Sequence, residues 1–173
     1  MTNYKSLLSK IKTFIFDVDG VMTNGIVLLA SDGDMLRTMN VKDGYALHIA
    51  LKKGYRIIII SGGRSESVRV RFTALGVKDV YLGIGNKLEV YHKILKDDNL
   101  NPQEILYMGD DIPDYQIMKE VGVAACPADA AEEIKSVSTY ISPHKGGKGC
   151  VRDVMEQVMK VQETWFADDD FHW

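Results

Sequence analysis

Two aspartates, Asp17 and Asp19, close the apolar run of the stretch FIFDVDGVMT. On an extended backbone, residues two positions apart project to the same side. Like charges held together disfavour each other's ionisation. The pair therefore calls for a cation or for a reaction that uses both carboxylates. A second acidic group, Asp110, Asp111 and Asp114, comes after the apolar run ILYM in the stretch GDDIPD. Between the two groups, Ser61, Gly62, Gly63 and Arg64 come after the run IIII, and Lys87 opens a helical pattern just after VYLG.

A serine hydroxyl, backbone amides freed by glycines, and a lysine make an anion site, the more so where they lead into a helix N-terminus. Clustered carboxylate oxygens select a hard cation, and few carboxylates completed by water and substrate oxygens suit Mg²⁺. An anion held by Mg²⁺, a lysine and amides beside two carboxylates is equipped for phosphoryl transfer. One carboxylate attacks phosphorus to give an aspartyl phosphate. The other protonates the leaving oxygen and then deprotonates the attacking water. The residues alone leave open which aspartate does which. Each also has a plainer use: Asp111, Asp114 and Ser61 as helix caps, Lys87 as a solvated helix lysine. Their positions after successive strands favour the joint reading.

The elements that must position them alternate strand and helix. TFIFD reads as a buried strand, with a β-hairpin after it at about 25–41 around Ser31-Asp32-Gly33-Asp34. A helix comes next, with Asp43 as expected N-cap and Gly54 as stop. YRIIII is apolar on both faces, as in a parallel sheet covered by helices. SESVRVRFTALG, NKLEVYHKILKD, DYQIMKEVG, AAEEIKSVS and CVRDVMEQVMKVQETW read as helices, with strands DVYLG, EILYMG, VAACP and TYIS between them. This order predicts an α/β, doubly wound parallel sheet of the Rossmann type, whose ligands bind beyond the carboxyl ends of the strands. Residues 1–164 read as one domain, and 165–173 as a mobile C-terminal tail.

The chain has 173 residues, 46% hydrophobic and 26% charged, with a net charge of -3. That balance suits one soluble domain with a real core. It supplies no global positive field for nucleic acid or an anionic membrane. The longest purely apolar run, IIII, is far too short to span a bilayer, and the N-terminal stretch lacks a signal-peptide core. The expected location is cytoplasmic, with Cys126 and Cys150 as reduced, buried or half-buried thiols. His48, His92, His144 and His172 lack metal-ligand spacing and read as structural or surface residues.

DVDGVMT, Ser61, Lys87 and GDDIPD, in this order and spread over nearly the whole chain, resemble the four motifs of the haloacid dehalogenase superfamily of phosphatases. The resemblance implies Asp17 as nucleophile and Asp19 as general acid/base. It implies Mg²⁺ held by Asp17, the backbone carbonyl of Asp19, and Asp110. Ser61 and Lys87 would bind the transferring phosphoryl group, with Asp111 and Asp114 supporting the metal or Lys87 from nearby.

Many members of this superfamily close the site with a cap domain. Here residues 22–60 are used up by a hairpin, a helix and a strand, and the stretch between Lys87 and Asp110 by a helix and a strand, so no cap fits. A neighbouring subunit is expected to supply the missing wall, with the apolar hairpin as contact surface. The capless pattern, with NVKDGY, SGGRSESVRVRF, LGVKDVYLG, ILYMGDDIPD and GGKGCVRD, resembles the 3-deoxy-D-manno-octulosonate 8-phosphate (KDO 8-phosphate) phosphatases, which are tetramers of lipopolysaccharide sugar synthesis. A related family acting on nine-carbon keto-deoxy sugar acid phosphates tends to have glutamate at the position of Gly63 and lysine at that of Ala74. Gly63 and Ala74 therefore tilt the substrate toward the eight-carbon sugar acid phosphate.

A substrate carboxylate calls for a planar, bidentate donor. Arg64 and Arg71, seven residues apart, are expected on one face of the helix after Ser61, with Arg71 as the candidate for the carboxylate and Arg69 on the surface. The stretch HKGGKGCVRD reads either as a plain flexible loop or as a segment closing over substrate, with Lys145 or Lys148 near an anion. Two other classes compete. A phospho-receiver module places its phosphorylated aspartate after the third strand, where this chain has a glycine. A catalytically silent interaction subunit has no need of the full set of reactive side chains present here.

Overall fold

The computed structural model of the chain describes residues 4–31 and 33–166. Its centre is β1 (Thr13–Phe16), buried at all four positions because both neighbours and both faces are covered. β4 (Arg56–Ile60) and β5 (Asp79–Tyr81) extend the sheet on one side; β6 (Ile105–Met108), β7 (Val123–Cys126) and β8 (Tyr140–Ile141) extend it on the other. All five pairings are parallel. The expected doubly wound sheet is present, and no cap domain interrupts it among the described residues.

β1 alternates between two cores, as a period-2 strand must. Phe14 and Phe16 face a layer made by α1 (Tyr4–Leu8), α2 (Val41–Lys52), α3 (Glu66–Ala74) and α7 (Cys150–Val161). Ile15 faces the layer of α4 (Lys87–Asp97), α5 (Tyr115–Met118) and α6 (Glu132–Val137). The short α1 has no counterpart in the sequence pattern. Its single turn buries Leu8, and its Tyr4 ring stacks on Tyr140 at 5.1 Å. Tertiary packing, not periodicity, holds so short a helix.

The hairpin is present in reduced form, as β2 (Leu28–Leu29) paired antiparallel with β3 (Met35–Leu36). Ile26, Leu28 and Leu29 are each more than two-thirds exposed, at 69%, 67% and 72%, so the arm projects from the domain instead of folding onto it. No described helix is long and apolar enough to cross a membrane. Both cysteines are free and buried, as expected. The expected mobile tail lies, apart from Trp165 and Phe166, outside the described residues.

Two expected caps are corrected. Asn40, not Asp43, caps α2, accepting from the Lys42 amide at 2.8 Å. Asp43 sits inside that helix, 2% exposed, and accepts from the Arg152 amide in the first turn of α7 at 2.8 Å. Since α7 begins after Gly149, which has no side chain to cap with, α2 supplies the acceptor from across the core.

Candidate active site

The register brings the reactive residues to one edge. Phe16 lies level with Ile59 of β4 and Met108 of β6, so the chain leaves all three strands together. Asp17 keeps the sheet contact for one more residue, its amide donating to the Met108 carbonyl at 3.1 Å. The backbone then folds into a tight turn over Val18–Met22, closed by the Thr23 amide on the Val18 carbonyl at 3.0 Å. Gly20 takes φ +94° there, where only glycine is unstrained. A Cβ on Gly20 would lie 1.9 Å from Asp110 Oδ2, so this glycine also admits the carboxylate.

Asp17, Asp19, Ser61, Gly62, Gly63, Lys87, Asp110, Asp111 and Asp114 all line one cavity of about 460 Å³, as their positions after successive strands predicted. Lys87, the first residue of α4 and nearly buried, places Nζ 2.9 Å from Asp17 Oδ1 and 2.7 Å from Asp114 Oδ1. Asp114 is spent on support. Its Oδ1 also accepts from the Tyr107 hydroxyl at 2.6 Å, and its Oδ2 accepts from the Asp110 amide at 3.1 Å. Gly109 makes this possible, because a Cβ there would stand 2.4 Å from Asp114 Cβ. Asp111 is exposed and caps the next turn through the Ile112 amide at 2.8 Å.

Burial, then the neighbouring Asp114, pushes the Asp17 carboxyl up to about 6 against the pull of Lys87. Burial, then Asp17 and Asp114, pushes Asp110 up to about 8. Burial opposes the charge of Lys87, but Asp17 and Asp114 outweigh it and hold its pKa above the ordinary value. Oxygens of Asp17, Asp110 and Asp114 lie within 4.8 Å of one another, and Asp110 Oδ1 is buried without a hydrogen-bond partner. Three carboxylates facing one ammonium leave an excess of two negative charges, which a divalent cation cancels. The all-oxygen donor set fits Mg²⁺.

Ser61 is buried and accepts from the Gly63 amide at 3.1 Å. Its loop is zipped to the loop after β5, with the Ile84 amide on the Ser61 carbonyl at 3.0 Å and the Gly83 amide on the Gly63 carbonyl at 2.8 Å. The loop leads into α3, which starts at Glu66 after Ser65, where the sequence pattern placed the helix. Arg64 consequently precedes α3 and does not share a helical face with Arg71. Arg64 is exposed beside Gly83, whereas the Arg71 guanidinium reaches Gly44 of α2. Arg69 holds the Val80 carbonyl at 2.8 Å, as a surface residue would. Ala74 ends α3, exposed and outside the cavity lining, and Lys148 is likewise exposed and outside it.

The glycine-rich loop before α7 packs against the turn that follows β1. Gly147 donates to the Val21 carbonyl at 2.9 Å, and a Cβ on Gly146 would stand 1.9 Å from the Gly20 carbonyl oxygen. These glycines let two backbones touch, and together they brace the turn that carries Asp19.

Sequence reasoning missed Arg37. Its Nε donates to Asp19 Oδ1 at 2.6 Å and its second terminal nitrogen to Asp19 Oδ2 at 2.9 Å, a bidentate pair contributed by the hairpin. The signal available was the one charged residue in the run MLRTM.

The model of the haloacid dehalogenase-like hydrolase family matches residues 68–152. The 3-deoxy-D-manno-octulosonate 8-phosphate phosphatase of Yersinia pestis is 33% identical over 155 residues, which are 90% of this chain and 83% of that protein. The Escherichia coli K12 enzyme of the same name is 33% identical over 152 residues, 88% of this chain and 81% of its own. Among solved structures, the Moraxella catarrhalis 3-deoxy-D-manno-octulosonate 8-phosphate phosphatase, in complex with a magnesium ion, a phosphate ion and KDO, superposes with TM-score 0.91 at 30% identity, covering 95% of both chains. The cobalt-bound Haemophilus influenzae phosphatase superposes with TM-score 0.89 at 26% identity, covering 95% of this chain and 98% of that one.

Proposed function

Because this chain belongs to the 3-deoxy-D-manno-octulosonate 8-phosphate phosphatase family of haloacid dehalogenase-like hydrolases, we propose that it releases phosphate from that eight-carbon sugar acid phosphate in a Mg²⁺-dependent reaction. The observation that carries this is Lys87 bridging Asp17 and Asp114 beside an unpartnered Asp110 oxygen, an anion and cation site at one strand edge.

In this reading Asp17 attacks phosphorus and becomes the aspartyl phosphate. Asp19 gives a proton to the departing sugar oxygen, then takes one from the water that cleaves the intermediate. Lys87, the Ser61 hydroxyl and the amides at Gly62 and Gly63 hold the phosphoryl oxygens. Asp17, Asp110 and the Asp19 carbonyl would hold Mg²⁺, which when bound would neutralise charge building on those oxygens. Asp114 fixes Lys87 and the Asp110 backbone, and Asp111 shapes the rim.

The single capless domain leaves the cavity open on one side. A homo-oligomer, a tetramer in our reading, supplies the missing wall through the apolar hairpin, and Arg64, Arg71, Ala74 and Lys148 meet substrate in that assembly or not at all. Reduced, buried thiols fit a cytoplasmic enzyme. The test is Mg²⁺-dependent phosphate release from 3-deoxy-D-manno-octulosonate 8-phosphate, with Asp17→Asn as control. Equal turnover by parent and variant would overturn the mechanism, and a stronger preference for the nine-carbon homologue would overturn the substrate.

A further inference from the structure

We propose that Arg37 is a substrate-operated latch: it holds Asp19 while the site is empty and transfers to the carboxylate of the incoming sugar acid, which makes it a specificity-determining residue. The inference deepens the function proposed above and rests on it.

Three observations carry the argument. First, both Asp19 oxygens are taken by one guanidinium, at 2.6 and 2.9 Å. The fork fixes the orientation of the Asp19 carboxylate and favours its ionised form, so carrying a proton to a leaving group costs Asp19 at least one charge-assisted bond. Second, the guanidinium is tethered at its other end, its remaining nitrogen donating to the Met35 carbonyl at 2.6 Å. Its side chain is 7% exposed, against 34% for Asp19, so its position is set mainly by these protein contacts. Third, Arg37 stands where the reactive cavity meets its surroundings. It lines a cavity of about 330 Å³ with Gly62 and Gly63, and a second of about 380 Å³ with Arg71.

A buried guanidinium leaves a carboxylate only for an equivalent partner. A sugar hydroxyl returns a neutral hydrogen bond for a charged one, which is the weaker exchange. A second carboxylate returns the same bidentate pair, so the exchange is close to balanced. Release of Asp19 is thereby tied to leaving groups that carry a carboxylate. Gly63 belongs to the device: a Cβ there would lie 3.1 Å from the Arg37 terminal nitrogen and 3.3 Å from Asp19 Oδ2, crowding the exchange.

The experiment compares kcat/KM for 3-deoxy-D-manno-octulosonate 8-phosphate with that for p-nitrophenyl phosphate, which has no carboxylate, in the parent, Arg37→Ala and Arg37→Lys at saturating Mg²⁺. The ratio is expected to fall roughly 30-fold in Arg37→Ala, mainly through KM for the sugar acid, with Arg37→Lys between the two because it keeps the charge but not the fork. The free sugar acid, used as a competitive inhibitor of aryl phosphate hydrolysis, is expected to bind the alanine variant more weakly by a similar factor. An unchanged ratio with unchanged inhibition would reduce Arg37 to a structural clamp and overturn the latch alone. A parent enzyme that cleaves the aryl ester but not the sugar acid phosphate would overturn the underlying function, and the latch with it.

Discussion

Gly20 and Asp110 touch so closely that a Cβ on the glycine would stand 1.9 Å from the aspartate Oδ2. The turn after β1 and the loop after β6 are thus fitted to each other across the metal-binding edge. Gly20→Ala must move the Asp110 carboxylate and also strain a backbone at φ +94°. We expect the Mg²⁺ concentration for half-maximal activity to rise about tenfold or more, with kcat at saturating Mg²⁺ recovering in part. Mg²⁺ titration of activity checks this, and an unchanged half-saturation would show that Asp110 does not hold the ion.

The crowded carboxylates predict how stability depends on pH without metal. Asp110 titrates near 8 and Asp17 near 6, both above the ordinary 3.8, chiefly through burial. Over that window the unfolded chain has released protons that the folded chain still holds. Stability in a chelator is therefore greatest at the acid end of the window and is lost as pH rises through the folded-state values. The loss should be on the order of 2 kcal/mol, since the site is open to water on one side. Mg²⁺, which binds the ionised groups, should stabilise more strongly the higher the pH. Asp110→Asn should flatten the chelator profile. Thermal melts between about pH 5 and pH 8.5 decide it, and a rising profile in chelator would refute the prediction.

Asp43 predicts a long-range capping effect. It is buried in α2 yet caps α7, and the loop leading into α7 braces the Gly20–Thr23 backbone. Asp43→Ala should cost about 1–2 kcal/mol and lower the melting temperature by several degrees, while Asp43→Asn, which keeps an acceptor, should cost less. A weaker Mg²⁺ response in the alanine variant would report the bracing. Equal melting temperatures for all three proteins would assign the cap no energetic role.

The hairpin predicts the assembly. Leu28 and Leu29 are 67% and 72% exposed, an apolar arm that a free protomer has no reason to keep. If the arm joins subunits as proposed, a parent of multiple-chain native mass should become single chains on charging it with Leu28→Glu and Leu29→Glu. Turnover of the sugar acid phosphate should fall with the lost wall, and hydrolysis of an aryl phosphate should fall less. A parent of single-chain mass would overturn the proposed assembly, and an unaltered mass in the variant would overturn the hairpin as its contact.

Much of the fold was legible residue by residue. TFIF, RIIII and ILYM are apolar at nearly every position, which marks strands covered on both faces, and the polar residues just after each run mark the reactive edge. Asp17, Asp19, Ser61, Lys87 and Asp110 could be singled out because strand order carries them to one place. The caps were less legible. Asp43 and Asn40 are both good capping residues three positions apart, and the choice between them depended on α7, more than a hundred positions away in the chain.

The doubly wound sheet, the set of reactive side chains and their common edge are written in the sequence, because period and strand order are local properties summed along the chain. Two relationships belong to the folded chain alone: Gly146 and Gly147 pack against the turn that carries Asp19, and Arg37 grips Asp19. Each depends on where two distant backbones meet within a few ångströms, and no periodicity in either segment encodes that distance.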